Sequence, residues 1–353
     1  MSPTSETGGT PLITVFDPFP VLTVTIEDRE GHDEVHLHAG GQGLWVGRMA
    51  VSLGARVRLI SAMGGEAGMV LDRLIANEGI VTCGVSTTVD SAVYVHDRRS
   101  GGREELAEVK PAPLSRHELD ALYEEALIES LDADAFVLAG PRPGVSVPEG
   151  TYQRLAADVS RVQERIVADL SGDTLREALE AGTVRVVKVS DEELVGAGLA
   201  KGDGRAELLA GMAHMHELGG SDVVVTRGAD PMLALLDGAL VEVEAPQFTP
   251  NDNRGGGDAI TAALAVGLAR GDALGDALRL GAAAGALNVT RRGLASVEPD
   301  HAERLSRRVG LRRIDAPGVP GSDAPEGGRT AEVPAAVEVM EMSSAPVVDG
   351  AGR

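Results

Sequence analysis

The stretch NDNRGGGDAITAALAVGLARG, residues 251–271, decides how this chain is read. Gly255, Gly256 and Gly257 run into Asp258, and an Ala-rich helical pattern follows as far as Ala269. Glycine lets the backbone turn its N–H groups toward one point, and a helix start adds the positive end of a dipole. Together they hold an oxyanion or a terminal phosphate without any side chain. An Asp in the first helical turn is kept ionised by the same dipole and stands ready to take a proton from an alcohol. Phosphoryl transfer needs both parts: the attacking hydroxyl is oriented and deprotonated while charge on the transferred group is neutralised.

Upstream of this loop, short β-rich runs alternate with helical stretches, the pattern of a parallel sheet covered on both faces. LITVF from Leu12, RVRLISAM from Arg56, AFVLAG from Ala135, RIVADL from Arg165, VRVVKV from Val184 and DVVVTRG from Asp222 predict strands. Apolar spacing predicts helices over 44–53, 116–131, 152–163, 175–181, 205–218 and 258–269. The expected fold is α/β, a doubly wound, mostly parallel sheet flanked by helices. Residues 21–41 and 91–109 break the alternation. Each reads as two strands around a polar turn, which predicts a small antiparallel β lid. The expected domain runs over 12–312, after a flexible start at 1–11. Residues 313–353 are rich in Pro, Gly, Ala and Ser without periodicity and read as a disordered tail.

Composition narrows the partners. With 353 residues and 43% hydrophobic content the chain can bury one large core. A formal charge of −22 disfavours nucleic acid and anionic membranes, and 2% aromatic content leaves few platforms on which bases could stack. The single cysteine, Cys83, cannot form an internal disulfide and reads as a small buried hydrophobe. The first residues lack a basic start and apolar stretch, so a reducing cytoplasm is expected. The run GHDEVHLH, residues 31–38, lacks a recognised zinc spacing. A Rossmann oxidoreductase would need Gly-x-Gly-x-x-Gly directly after the first strand, which LITVFDPFP does not offer.

The glycine loop resembles the signature of the PfkB/ribokinase-type carbohydrate kinases, in which an acidic residue and a Thr precede Gly-Ala-Gly-Asp. Asp252, Gly255, Gly257 and Asp258 match; Asn253 stands for the Thr and Gly256 for the Ala. The resemblance runs from about Leu12 to Ser296. It includes AGGQGLWVGRMAVSLG from Ala39, DLSG at 169–172, VVKVSDEEL from Val186 and VVVTRGADP from Val223, and it lies nearest the 1-phosphofructokinase and tagatose-phosphate kinase branch. It implies a ribokinase-like fold, ATP as phosphoryl donor and Mg²⁺. On matching positions it implies Asp258 as base, Gly255 to Gly257 as anion hole and Glu193 as anchor of Mg²⁺ and its waters. The nucleotide side would comprise Ser190, Thr226, Gly228, Asp252, Arg254 and Asn288, with Asn288 toward the adenine. Lid strands of such kinases often pair between subunits, which implies a homodimer.

The acceptor side departs from the pattern. The usual Asn-Pro-x-x-Asp becomes Asp17-Pro18-Phe19-Pro20-Val21, so Val21 stands where a sugar-binding carboxylate is usual and Asp17 is the nearest substitute. The usual Gly-Gly-Lys-Gly-x-Asn becomes Gly40-Gly41-Gln42-Gly43-Leu44-Trp45, which removes a phosphate-attracting lysine; Gly40, Gly41 and Gln42 would border the acceptor, and Trp45 would either present an aromatic face to it or fill the vacated pocket as core. Charged hydrogen bonds are worth roughly 1.5–3 kcal/mol each, so these losses argue against fructose 1- or 6-phosphate. Two readings remain open. One is an ATP- and Mg²⁺-dependent kinase acting on an alcohol of a sugar, sugar phosphate or related polyol. The other is a catalytically weak, kinase-like protein that binds nucleotide or a small ligand as a sensor.

Overall fold

The computed structural model describes residues 9–141, 145, 147–182, 184–249, 254–291 and 295–314. Asp252, residues 1–8 and, of the expected tail over 313–353, the part from residue 315 onward lie outside these residues; Arg313 and Ile314 belong instead to the folded domain, Arg313 paired with Val241 at a sheet edge and Ile314 buried. The chain opens with β1 (Leu12–Phe16) and a hairpin of β2 (Val21–Arg29) and β3 (His32–Gly40). There follow α1 (Gln42–Ser52), β4 (Arg56–Gly64), α2 (Gly65–Asn77) and β5 (Ile80–Thr87), then a second hairpin of β6 (Ala92–Asp97) and β7 (Glu104–Val109). The next elements are α3 (Arg116–Asp132), β8 (Ala135–Ala139), α4 (Thr151–Val159), β9 (Ile166–Asp169), α5 (Gly172–Glu180), β10 (Val184–Ser190), α6 (Asp191–Gly196), α7 (Arg205–Leu218) and β11 (Gly220–Arg227). The described chain ends through β12 (Asp230–Leu236), β13 (Ala239–Glu244), α8 (Gly256–Arg270), α9 (Leu274–Asn288), α10 (Pro299–Ser306) and β14 (Gly310–Arg313).

Among the described residues the main sheet runs β14-β13-β12-β11-β10-β9-β8-β1-β4-β5. The pairings from β11 to β5 are parallel and those from β11 to β14 antiparallel. The six predicted strands all lie in the parallel part. Their uninterrupted apolar runs reflect burial on both faces: in β1, Ile13 and Val15 join one core, while Phe16 joins the other. β12 and β13 turn at Asp237-Gly238, both with positive φ, the geometry for which an Asp-Gly pair is suited. Cys83 lies on β5, partly buried against the second core, and burial pushes its thiol up to about 11.

The strand order reverses at β1. From there the chain first builds outward through β4 and β5, then returns to add β8, β9, β10 and β11 on the other side. The crevice at the carboxyl ends of strands around such a switch is where open α/β sheets place their ligands. Asp17, Gly140, Asp169, Ser190 and Thr226 all lie at or just beyond those strand ends.

Helix α8 is buried from Ala259 to Leu268 because it is covered by both the sheet and α9. Small residues permit the close approach. A Cβ on Gly281 would lie 3.0 Å from Ile260 Cα, and one on Gly285 would lie 3.1 Å from the Gly256 carbonyl oxygen. The separate four-stranded sheet, β3-β2-β6-β7, is the expected lid. Its two hairpins are antiparallel and join through a parallel β2–β6 pairing.

Candidate active site

Two helix starts frame the crevice. At the first, Gly255 precedes α8 with φ 79°, a left-handed conformation natural to glycine, and a Cβ there would stand 2.8 Å from Asn288 Nδ2. That nitrogen donates to the Arg254 carbonyl at 2.9 Å, so Asn288 braces the turn that enters the loop. Asn288 is fully buried, and its Oδ1 has no hydrogen-bond partner among the described residues. The first N–H groups of α8 have no partner within the helix and remain available to an anion. Asp258, in that first turn, is 8% exposed. The helix start was expected to keep this carboxyl ionised; burial, then the Asp169 carboxylate, instead raise its pKa to about 7 against the opposing pull of Lys188.

The second helix start belongs to α1. Asp17 lies against it and accepts from the Leu44 N–H at 3.3 Å and the Phe19 N–H at 3.4 Å. Gly41, with φ 129°, permits this approach, since a Cβ there would lie 2.8 Å from Asp17 Oδ2. Gly40 is constrained in the same way by Thr23 Oγ1, 3.0 Å from where its Cβ would be. Burial raises the Asp17 pKa to about 6 despite these N–H donors. Asp17 also lies close enough to Asp258 for its charge to raise the latter's pKa.

Asp169 joins the two helix starts. Its carboxylate accepts from Lys188 Nζ at 3.1 and 3.3 Å, Thr261 Oγ1 at 2.5 Å and Gln42 Nε2 at 2.6 Å. Gln42 was expected to face an acceptor; the structure instead commits its amide to Asp169. Lys188 is buried, which works against its charge, but the carboxylates of Asp169, Glu193 and Asp258 outweigh that and raise its pKa. The lysine also explains Gly257, where a Cβ would lie 2.8 Å from Nζ. Gly256, by contrast, has nothing within 4 Å of an added Cβ.

On the β10–β11 side, Ser190 and Glu193 form a capping box at α6. Ser190 Oγ accepts from the Glu193 N–H at 3.1 Å, and Glu193 Oε2 accepts from the Ser190 N–H at 2.8 Å. Thr226 is the in-register partner of Ser190 and its hydroxyl reaches the Val189 carbonyl at 3.5 Å. Gly228 follows with φ 56°. Trp45 is half-buried on α1, one turn from both Gln42 and Arg48. Asp169, Lys188 and Thr261 carried no assigned role in the sequence reading. A readable signal was present: Lys188 interrupts an all-valine run, and a lysine in a buried strand is retained only with a partner.

A family model described as pfkB family carbohydrate kinase matches residues 23–301. The chain belongs to this family. It is similar to the ATP-dependent 6-phosphofructokinase isozyme 2 of Escherichia coli (strain K12), 28% identical over 272 residues that cover 75% of this chain and 86% of that protein. It is also similar to the 1-phosphofructokinase of Bacillus subtilis (strain 168), 24% identical over 264 residues, 74% of this chain and 84% of that one. Among solved structures, phosphofructokinase-2 from Escherichia coli in complex with potassium superposes with a TM-score of 0.73 at 22% identity, over 85% of this chain and 99% of that chain. The protein is thus a carbohydrate kinase with a ribokinase-like α/β fold. Among the described residues no helix is long and apolar enough to cross a membrane.

Proposed function

We propose that this carbohydrate kinase transfers the γ-phosphate of ATP to an alcohol of a sugar, sugar phosphate or related polyol, with Asp258 as the base. The observation that carries the reading is the position of Asp258, buried in the first turn of α8 behind Gly255, Gly256 and Gly257, with its carboxyl titrating near neutrality. A base with a pKa near the working pH takes up a proton readily and returns it readily. The acceptor hydroxyl gives its proton to the Asp258 carboxylate as its oxygen attacks the γ-phosphorus. The bond between the γ-phosphorus and the bridging oxygen breaks, and ADP leaves. The N–H groups of the glycine loop hold the oxygens of the transferring group, and Lys188 fixes the floor of that loop through Gly257.

Asp169, Glu193 and Asp258 lie close enough to Lys188 for their charges to act on its ammonium, and Asp17 acts in turn on Asp258. A surplus of negative oxygen ligands is what Mg²⁺ takes, and Glu193 would anchor that ion through waters. When bound, that ion neutralises charge on the ATP phosphates. Ser190, Thr226, Gly228 and Arg254 form the nucleotide side, Asp252 is assigned to it on the family signature alone, and Asn288 braces the loop through the Arg254 carbonyl. Asp17, Gly40, Gly41 and Trp45 border the acceptor, and Gln42 acts there through Asp169. The lid closes over the acceptor and keeps water from competing for the γ-phosphate.

One face of the lid carries Val24, Ile26, Val35, Leu37, Val95 and Val109 in register, with Val35 64% and Leu37 48% exposed. A second copy of this chain covering that face would form a homodimer. Acceptor-dependent ADP release from Mg²⁺-ATP tests the kinase reading across a panel of sugars, sugar phosphates and nucleosides. Release with at least one acceptor, lost in Asp258→Asn, is expected. Release with none, while the nucleotide still binds, would favour the sensor reading.

A further inference from the structure

The connection leaving β13 passes over the turn between β11 and β12. β12 is antiparallel to β11 and β13 is antiparallel to β12, so β13 runs in the direction of β11. It therefore ends, at Glu244, on the same end of the sheet as Arg227, where Gly228 and Ala229 make the turn into β12. Beyond Glu244, Ala245 packs against the core that contains Ala282, Ala283 and Ala284 of α9. Gln247 Nε2 then donates to the Ala229 carbonyl at 2.7 Å. One bond thus pins this segment to the turn that the kinase reading gives to the nucleotide. Gly228 in that turn is open, with φ 56° and nothing within 4 Å of an added Cβ.

Phe248 follows Gln247 directly. It is 43% exposed, whereas the other three phenylalanines, Phe16, Phe19 and Phe136, are exposed by 7% or less. Among the described residues no aromatic ring or cation stacks on it. A benzyl ring gains by covering its faces with another flat, apolar surface, and ligand sites are lined by such rings. In a nucleotide the phosphates are charged and the ribose is polar, so the base alone offers a flat π-face. With the γ-phosphate at the N–H groups of Gly255 to Gly257, the nucleotide extends past Ser190 and Thr226 toward Gly228. Its base is the part that arrives beside the segment Gln247 holds in place.

Resting on the kinase reading for the place of the donor nucleotide, we infer that Phe248 is the platform on which the base of that nucleotide stacks. The Gln247 bond to Ala229 sets the platform against the turn, and the ring supplies affinity for the donor without touching the transferring phosphate or Asp258. Stacking of this kind depends on the aromatic face, so apolar bulk alone does not replace it.

Calorimetric titration of the full chain with Mg²⁺ and a non-hydrolysable ATP analogue tests this without turnover. Phe248→Ala is expected to raise the Kd at least fivefold, and Phe248→Leu, which keeps apolar bulk but no ring, at least threefold. Phe248→Trp is expected to stay within twofold of wild type. Its new indole should be quenched by the analogue at least twice as strongly as the wild-type fluorescence, which comes from Trp45 alone. Because Phe248 is exposed, denaturant midpoints of the three variants should match wild type, which excludes misfolding as the cause of a loss. An affinity unmoved in Phe248→Ala would overturn the inference. So would Phe248→Leu binding as wild type does, or Phe248→Trp fluorescence indifferent to the nucleotide. Failure of the kinase reading shows separately, as wild-type protein that binds the analogue, loses affinity in Phe248→Ala and yet releases no ADP with any acceptor. Wild-type protein that binds no analogue would overturn both.

Discussion

Lys188 stands against Gly257 so closely that a Cβ on the glycine would lie 2.8 Å from the lysine Nζ. The same nitrogen donates to both oxygens of Asp169, which also accepts from Gln42 on α1 and Thr261 on α8. The anion loop, the base and the acceptor-side helix therefore rest on one buried carboxylate. A change anywhere in this chain of contacts is felt at the loop.

The three glycines are consequently not equivalent. Gly256→Ala places its Cβ in open space and is expected to keep activity within about twofold, with stability raised by up to about 1 kcal/mol from the lower backbone entropy of Ala. Gly257→Ala displaces Lys188 and is expected to lower kcat at least tenfold. Steady-state kinetics and chemical denaturation of the two variants check the contrast.

Removing one partner of the buried pair leaves the other charge uncompensated. Lys188→Met is expected to destabilise the fold by about 3–5 kcal/mol. The double variant Lys188→Met/Asp169→Asn, which removes both charges, should recover part of that loss. Denaturant midpoints of the two single variants and the double variant measure the coupling.

Asp258 is held protonated up to about pH 7 in the folded protein, against an ordinary value of 3.8. Between these values the unfolded chain releases a proton that the native state retains. Stability contributed by this site is therefore complete below about pH 4, declines as the pH rises to 7 and is absent above. Asp258→Asn removes the cost of burying the ionised carboxylate. At pH 8 it is expected to be more stable than wild type by about 2–4 kcal/mol, from about 1.4 kcal/mol per tenfold change in proton affinity. The difference should vanish near pH 4 in calorimetric scans. Because the base must be ionised, kcat/KM for the acceptor should fall tenfold per pH unit below about 7.

Asn288 acts on the nucleotide side as a brace. Asn288→Ala removes the hydrogen bond to the Arg254 carbonyl, at a cost of about 0.5–1.5 kcal/mol. The loosened turn is expected to raise KM for ATP at least fivefold while leaving the pH dependence of kcat unchanged. Initial rates across ATP concentration and pH distinguish this from an effect on Asp258.

Much of this architecture was legible in the amino-acid order. Parallel strands buried on both faces announce themselves as apolar runs, as LITVF and VRVVKV do, and Gly255 to Asp258 carry their geometry locally. α9 was harder to read because its Ala and Gly residues are buried on several sides and leave no polar stripe. The use of Gln42 was not legible at all. Its partner Asp169 is 127 residues away, and only the fold brings α1 and the end of β9 together.

The most direct test of the central claim, that Asp258 removes the acceptor proton, is single-turnover formation of ADP by Asp258→Asn, read by rapid quench at pH 8 with bound acceptor and ATP. Nucleotide affinity is measured on the same preparation. A rate at least 1,000-fold below wild type, with ATP affinity within threefold, is predicted. A rate within tenfold of wild type would contradict the account.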